Sequence, residues 1–139
     1  MEFEKYQHVE RFGTIETQGI NIGTCYVFPK IDGTNASIWN DGGEICCGSR
    51  KRNLDVNDDN QGFMNWVVEQ PNIRKFIISN PNMRLYGEWL VPHTLKTYSE
   101  NAWRNFYVFD VVDNFGNYFK YETYKELLDK YNIEYIPPI

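Results

Sequence analysis

The 139 residues suffice for one modest domain and not for two. A hydrophobic share of 42% is adequate for a core, and a net charge of −5 excludes a chain whose whole surface grips a polyanion. Three cysteines, Cys25, Cys46 and Cys47, are odd in number and lack C-x-x-C spacing, which excludes a zinc or disulfide framework and fits a reducing interior.

In chain order, residues 1–19 are polar with scattered apolar positions. Ile20 to Phe28 is rich in Ile, Val, Tyr and Phe and predicts a strand that runs into Pro29-Lys30-Ile31-Asp32-Gly33. Asn35 to Trp39 predicts a second strand, and Asp41-Gly42-Gly43 a tight turn. Glu44 to Cys47 returns as its partner and ends at Gly48-Ser49-Arg50, so Lys30 and Arg50 should sit near the ends of neighbouring strands. Beyond the polar stretch Asn57 to Asn60, Phe63, Trp66 and Val67 fall at helical spacing, with Pro71 closing the segment. Ile73 to Ile78 predicts a second short helix and Asn80-Pro81-Asn82 a turn.

Met83 to Val91 reads as a strand with Gly87-Glu88 inside it. Phe106 to Val112 is a near-continuous apolar run, hence a buried strand, which turns at residues 113–117 and returns through Tyr118 to Tyr121. Tyr124, Leu127, Leu128 and Tyr131 mark an amphipathic helix before the final Ile136-Pro137-Pro138-Ile139. Without βαβ alternation or a Gly-rich phosphate loop, the pattern predicts an α+β fold of antiparallel sheet with inserted helices. Aromatic residues make up 17% of the chain; most belong to the core, and some offer flat faces for a base. The N-terminus lacks the apolar run of a signal peptide and no stretch is long enough to span a membrane, so a soluble, cytoplasmic protein is expected.

The chemistry concentrates in Lys30-Ile31-Asp32-Gly33-Thr34-Asn35. A lysine leaving a buried strand at a bend, with Arg50 nearby, can be held uncharged, and an uncharged amine is a nucleophile. Gly33 allows backbone to come close to a ligand. The string resembles the K-x-D-G motif I of polynucleotide ligases and mRNA capping enzymes. In its K-x-D-G-T-N form it is similar to the RNA ligase 2-like family of ATP-dependent RNA ligases. Gly48-Ser49-Arg50 resembles the next motif, Leu85-Tyr86-Gly87-Glu88-Trp89 resembles motif III, and Phe106-Tyr107-Val108-Phe109-Asp110 resembles motif IIIa, all in order.

This resemblance implies that Lys30 attacks the α-phosphate of ATP to form lysyl-AMP. AMP then passes to an RNA 5′-phosphate, and the 3′-hydroxyl seals the strand. It implies a nucleotide site built from Lys30, Ile31, Asp32, Gly33, Asn35, Arg50, Glu88 and Phe109. Arg50 would hold phosphate or ribose, Glu88 the ribose and Phe109 the adenine. Asp32 and Asp110 would order the lysine or a hydrated Mg2+ (or Mn2+) ion. His93, Lys96 and Arg104 are lesser candidates for phosphate contacts. Two family features are missing: no motif IV glutamate and no motif V lysines follow Asp110, and Pro29 precedes the lysine where Glu is common. Residues 1–139 are therefore expected to be the N-terminal portion of a nucleotidyltransferase domain, impaired in adenylylation alone. Exposed sheet edges should then promote self-association. The alternatives are a catalytically inactive nucleotide- or RNA-binding fragment and a DNA ligase-like enzyme.

Overall fold

The computed structural model describes residues 1–139. Strands β1 (Thr34–Asp41) and β2 (Glu44–Gly48) form a hairpin, followed by helices α1 (Phe63–Val68) and α2 (Pro71–Ser79). Strands β3 (Met83–Trp89) and β4 (Phe106–Asp113) and helix α3 (Tyr121–Lys130) complete the fold. The four strands make one antiparallel sheet in the order β2-β1-β3-β4, so the predicted α+β class holds. Gly42 and Gly43 both adopt positive φ, at 60° and 93°, which lets a two-residue turn follow the strands' twist. Pro71 does not merely end the first helix. It opens the second at its first position, where its missing N–H costs nothing.

One sheet face carries the core. Ala36, Ile38, Leu85, Trp89, Val108 and Val111 pack against Phe63, Val67, Ile73, Phe76 and Ile77 of the first two helices and Tyr124 and Leu128 of α3. The other face is covered at one end by the N-terminal residues, which form a strap without regular structure. The Met1 ammonium donates to the Asn40 carbonyl at 2.9 Å, and the Tyr86 hydroxyl donates to the Glu4 carbonyl at 2.7 Å. The Arg84 guanidinium donates to the Glu2 carbonyl and lies 4.7 Å from the centre of the Trp39 ring. Coverage on both faces explains why β3 is buried almost throughout.

Three expectations need correction. Residues Ile20 to Phe28 form no strand: a 3-10 turn at Ile15–Thr17 leads into irregular, exposed chain, with Ile22 82% and Val27 61% exposed. No neighbouring strand offers a ladder, and apolar alternation alone cannot satisfy backbone groups. The return through Tyr118 is one bridge to Val112, and Tyr121 already begins α3. Open sheet edges are also reduced. Val108 on β4 accepts from the Ile136 amide at 2.8 Å, and Cys47 on β2 accepts from Leu54 at 2.9 Å, so self-association gains little support from either edge. No helix is long and apolar enough to cross a membrane.

Candidate functional site

The uncovered end of the second sheet face opens into a cleft of about 1160 Å³. Lys30, Ile31, Asn35, Arg50, Glu88, Phe109 and Asp110 all line it, although they lie up to 80 positions apart in sequence. The register explains the convergence. Asn35 on β1 stands opposite Glu88 on β3, and Arg50 follows the end of β2, the strand beyond β1.

Phe109 and Asp110 are neighbours, and in a regular strand they would point to opposite faces. The β3–β4 pairing jumps here: Tyr86 stands opposite Asp110 and Gly87 opposite Val108, leaving Phe109 as the extra residue of a bulge. The bulge re-aims the strand so that both side chains border the cleft.

Glu88 accepts the Gly33 amide at 3.1 Å. Burial raises its carboxyl above the usual range, and the Gly33 N–H and the charges of Lys30 and Arg50 oppose that rise. Burial likewise raises Asp110, against the hydrogen bond it accepts from the Tyr6 hydroxyl. The Phe109 ring meets Tyr6 edge-on, with centroids 4.9 Å apart, and keeps a place on the cleft wall. Lys30 is exposed on irregular chain and enters no ion pair, so the expected burial at the end of a strand is absent.

Two residues of the motif serve the fold instead of the cleft wall. Asp32 accepts the Leu95 amide at 2.6 Å and faces His93 Nδ1 at 3.2 Å, while its own amide donates to the Tyr98 hydroxyl at 2.9 Å. The Leu95 N–H, ahead of the His93 contact, holds the Asp32 carboxyl below its ordinary value. Gly33 is pressed against backbone, since a Cβ there would stand 2.4 Å from the Trp89 carbonyl oxygen. Its lack of a side chain is needed by β3 itself. Asp32 and Asp110 are not brought together as metal contacts, and no group of three or more His, Cys, Asp or Glu could hold an ion. A hydrated magnesium or manganese ion carried on nucleotide phosphates needs no such cluster. His93, Lys96 and Arg104 do not line the cleft; Arg104 lies over Trp89 at 6.0 Å.

Sequence reasoning missed the strap's share of the site. Lys5, Tyr6 and His8 line the cleft, as do Tyr26 and Phe28 from the irregular segment and Tyr121 from α3. Only the aromatic richness of the chain hinted at the last three.

The RNA ligase family model matches residues 23–139. No curated protein sequence matches the chain. Among solved structures, an archaeal ATP-dependent RNA ligase is similar at TM-score 0.67 and 21% identity, covering 82% of this chain and 30% of the archaeal one. A lysine-to-alanine mutant of Naegleria gruberi RNA ligase with ATP and Mn is similar at TM-score 0.64 and 17% identity, covering 82% of this chain and 36% of its own. The same RNA ligase with PPi is similar at TM-score 0.63 and 19% identity, covering 82% and 35%. The chain thus spans about a third of the length of these structures, and they share its fold. With the family model reaching across most of its length, this chain belongs to the RNA ligase family.

Proposed function

We propose that the cleft binds ATP and that Lys30 is its covalent nucleophile in an RNA-sealing reaction. The observation that carries this reading is the convergence of Lys30, Asn35, Arg50, Glu88 and Phe109 on one cleft. Arg50 supplies a planar fork of donors for phosphate or ribose oxygens. Glu88 accepts from ribose hydroxyls, and Phe109 offers a face to the adenine. The Lys30 nitrogen attacks the α-phosphorus with its lone pair. A P–N bond forms, the bond to the bridging oxygen breaks, and pyrophosphate leaves while the amine's proton passes to solvent. An RNA 5′-phosphate oxygen then displaces the lysine, and a 3′-hydroxyl displaces AMP.

The test is intact-mass spectrometry after incubation with ATP and a divalent ion, paired with nucleotide titration. One AMP is gained by the chain and none by Lys30→Ala, and Arg50→Ala and Glu88→Ala weaken ATP binding. Labelling that persists in Lys30→Ala refutes the assignment of the nucleophile. ATP binding indifferent to both other variants refutes the site. The exposure of Lys30 favours a second reading, nucleotide binding without covalent transfer. Titratable ATP binding with no mass gain supports that one.

A further inference from the structure

We propose that Glu122, a carboxylate outside the cleft, is a positioning residue for the Lys30 nucleophile, acting through Tyr26 and the span that joins Tyr26 to Lys30. The inference rests on the reading of Lys30 above and adds to it how the amine is aimed.

Lys30 has no regular structure of its own to hold it. Residues 28–31 lie outside every helix and strand, and none of their amides or carbonyls enters a backbone–backbone hydrogen bond. The span is fixed at its two ends. Downstream, Asp32 is pinned to the Leu95 amide and the Tyr98 hydroxyl, and Gly33 to Glu88. Upstream, the Val27 carbonyl accepts the Ile139 amide at 2.8 Å and the Tyr26 hydroxyl donates to the Glu122 carboxylate. The rings of Tyr26 and Phe28 lie 5.1 and 5.5 Å from that of Tyr121. Pinned at one end, such a span samples many courses; pinned at both, it keeps few.

Pro29 stiffens the bridge. Its ring fixes its own φ and confines Phe28 before it to extended backbone, so a shift at Tyr26 passes on to Lys30 instead of being absorbed between them. Transfer to the α-phosphate needs the amine within about 3–3.5 Å of phosphorus and in line, where a displacement of about 1 Å costs on the order of a hundredfold in rate.

The upstream anchor is rooted in the core, whereas the segment it holds is not. Tyr124 and Leu128 of α3 are buried, so Tyr121 and Glu122 sit on the first turn of a helix that is fixed from within. Ile20, Ile22 and Val27 are exposed, and a bond that holds so exposed a segment contributes little to folding. What it fixes is the course of the chain four residues before the nucleophile. The Tyr26 hydroxyl is the largest influence on the Glu122 carboxyl and holds it below its ordinary value, so the acceptor is charged at neutral pH and the bond is charge-assisted. Tyr26, Phe28 and Tyr121 line the cleft but Glu122 does not, so Glu122 reaches the site only through them.

The experiment follows AMP attachment to Lys30 by intact mass at saturating ATP, beside ATP titration and acylation of Lys30 by an N-hydroxysuccinimide ester with and without ATP. Glu122→Ala slows attachment by on the order of tenfold, part of the cost of a full displacement, while ATP affinity stays within about twofold. The urea unfolding midpoint is unchanged. Glu122→Gln keeps an acceptor and recovers most of the rate. Adding Tyr26→Phe to Glu122→Ala slows attachment no further, because both act through one bond. In a chain that binds ATP without transfer, the same order of variants is read from the protection that ATP gives Lys30 against acylation. Full attachment or full protection in Glu122→Ala overturns the proposal and leaves Lys30 as the nucleophile. A fall in ATP affinity that matches the fall in rate also overturns it, by making Glu122 a support of the binding site. Additive losses from Tyr26→Phe and Glu122→Ala overturn it too, since the path then does not run through Tyr26. ATP that neither modifies nor protects Lys30 in the unsubstituted chain removes the reading of the nucleophile, and this inference with it.

Discussion

Substituting Tyr6 by Phe tests how the strap is coupled to the cleft. The change removes one oxygen and keeps the ring, so the edge-on contacts with Tyr86 at 5.1 Å and Phe109 at 4.9 Å survive. What is lost is the hydrogen bond to Asp110, a half-buried carboxylate whose proton affinity is already raised by burial. Burial, and then the neighbouring Asp110, raise the Tyr6 phenol above its ordinary value, so it remains a donor at neutral pH. A hydrogen bond to a charged group contributes about 1.5–3 kcal/mol, and partial exposure favours the lower end, about 1.5 kcal/mol. For a chain of this length that corresponds to roughly 5 °C in Tm.

The pH dependence makes the test sharper. A carboxyl whose folded pKa is raised binds more protons folded than unfolded, so stability falls as pH rises through that window. The Tyr6 bond opposes this by favouring the carboxylate. Its removal should cost most near pH 7 and least below about pH 3, where Asp110 is protonated in both states. Urea unfolding followed by tryptophan fluorescence at the two pH values measures this. The same substitution in an Asp110→Asn background should cost less, because only a neutral bond is lost. An equal penalty at both pH values and in both backgrounds refutes the coupling of strap to carboxylate.

Glu88→Gln retains an acceptor for the Gly33 amide while removing a charge that burial disfavours. Its thermal stability at neutral pH should equal or exceed that of the unsubstituted chain. ATP affinity measured by calorimetry should fall by roughly tenfold, the scale of one charge-assisted bond. Gly33→Ala drives a methyl group to within 2.4 Å of the Trp89 carbonyl, where backbone must yield on both sides. It should cost about 1–3 kcal/mol in urea unfolding. Asp32→Ala frees the Leu95 amide and His93, so hydrogen exchange should speed at Leu95 and not along β3. The Leu95 N–H and His93 depress the folded pKa of Asp32. Its anchor therefore persists above the ordinary carboxylate range and loosens as pH falls through the folded value.

The elements that were legible in the sequence carry their own local signal. The β1–β2 hairpin has its paired glycines, α2 its proline at the first turn, and α3 its apolar stripe. The segment from Ile20 to Phe28 has strand composition but no partner, and partnership is not a local property. The strap was invisible for a related reason. Its anchors are the carbonyls of Glu2 and Glu4, groups that every residue possesses, and their donors lie 82 positions away. At the site, motif resemblance found Lys30, Asn35, Arg50, Glu88 and Phe109, which do share the cleft. It did not distinguish residues that border the cleft from those that hold its frame, as Asp32 and Gly33 do.

The burial phase of β4 is written in the spacing of its valines. Val108 and Val111 are both fully buried, three positions apart, whereas a regular strand returns to the same face every two. Without an extra residue, a strand that buries Val108 sends Asp110 into the apolar layer, where an unpaired carboxylate costs several kcal/mol. The bulge at Phe109 resolves that conflict by shifting the phase of the strand, and the valines pack while Asp110 turns to Tyr6. The same shift gives Phe109 its place on the cleft wall. The spacing of two valines thus sets a packing requirement whose solution also positions a base platform and an anchor for the strap. That is why the site at this end of β4 is tied to the core behind it.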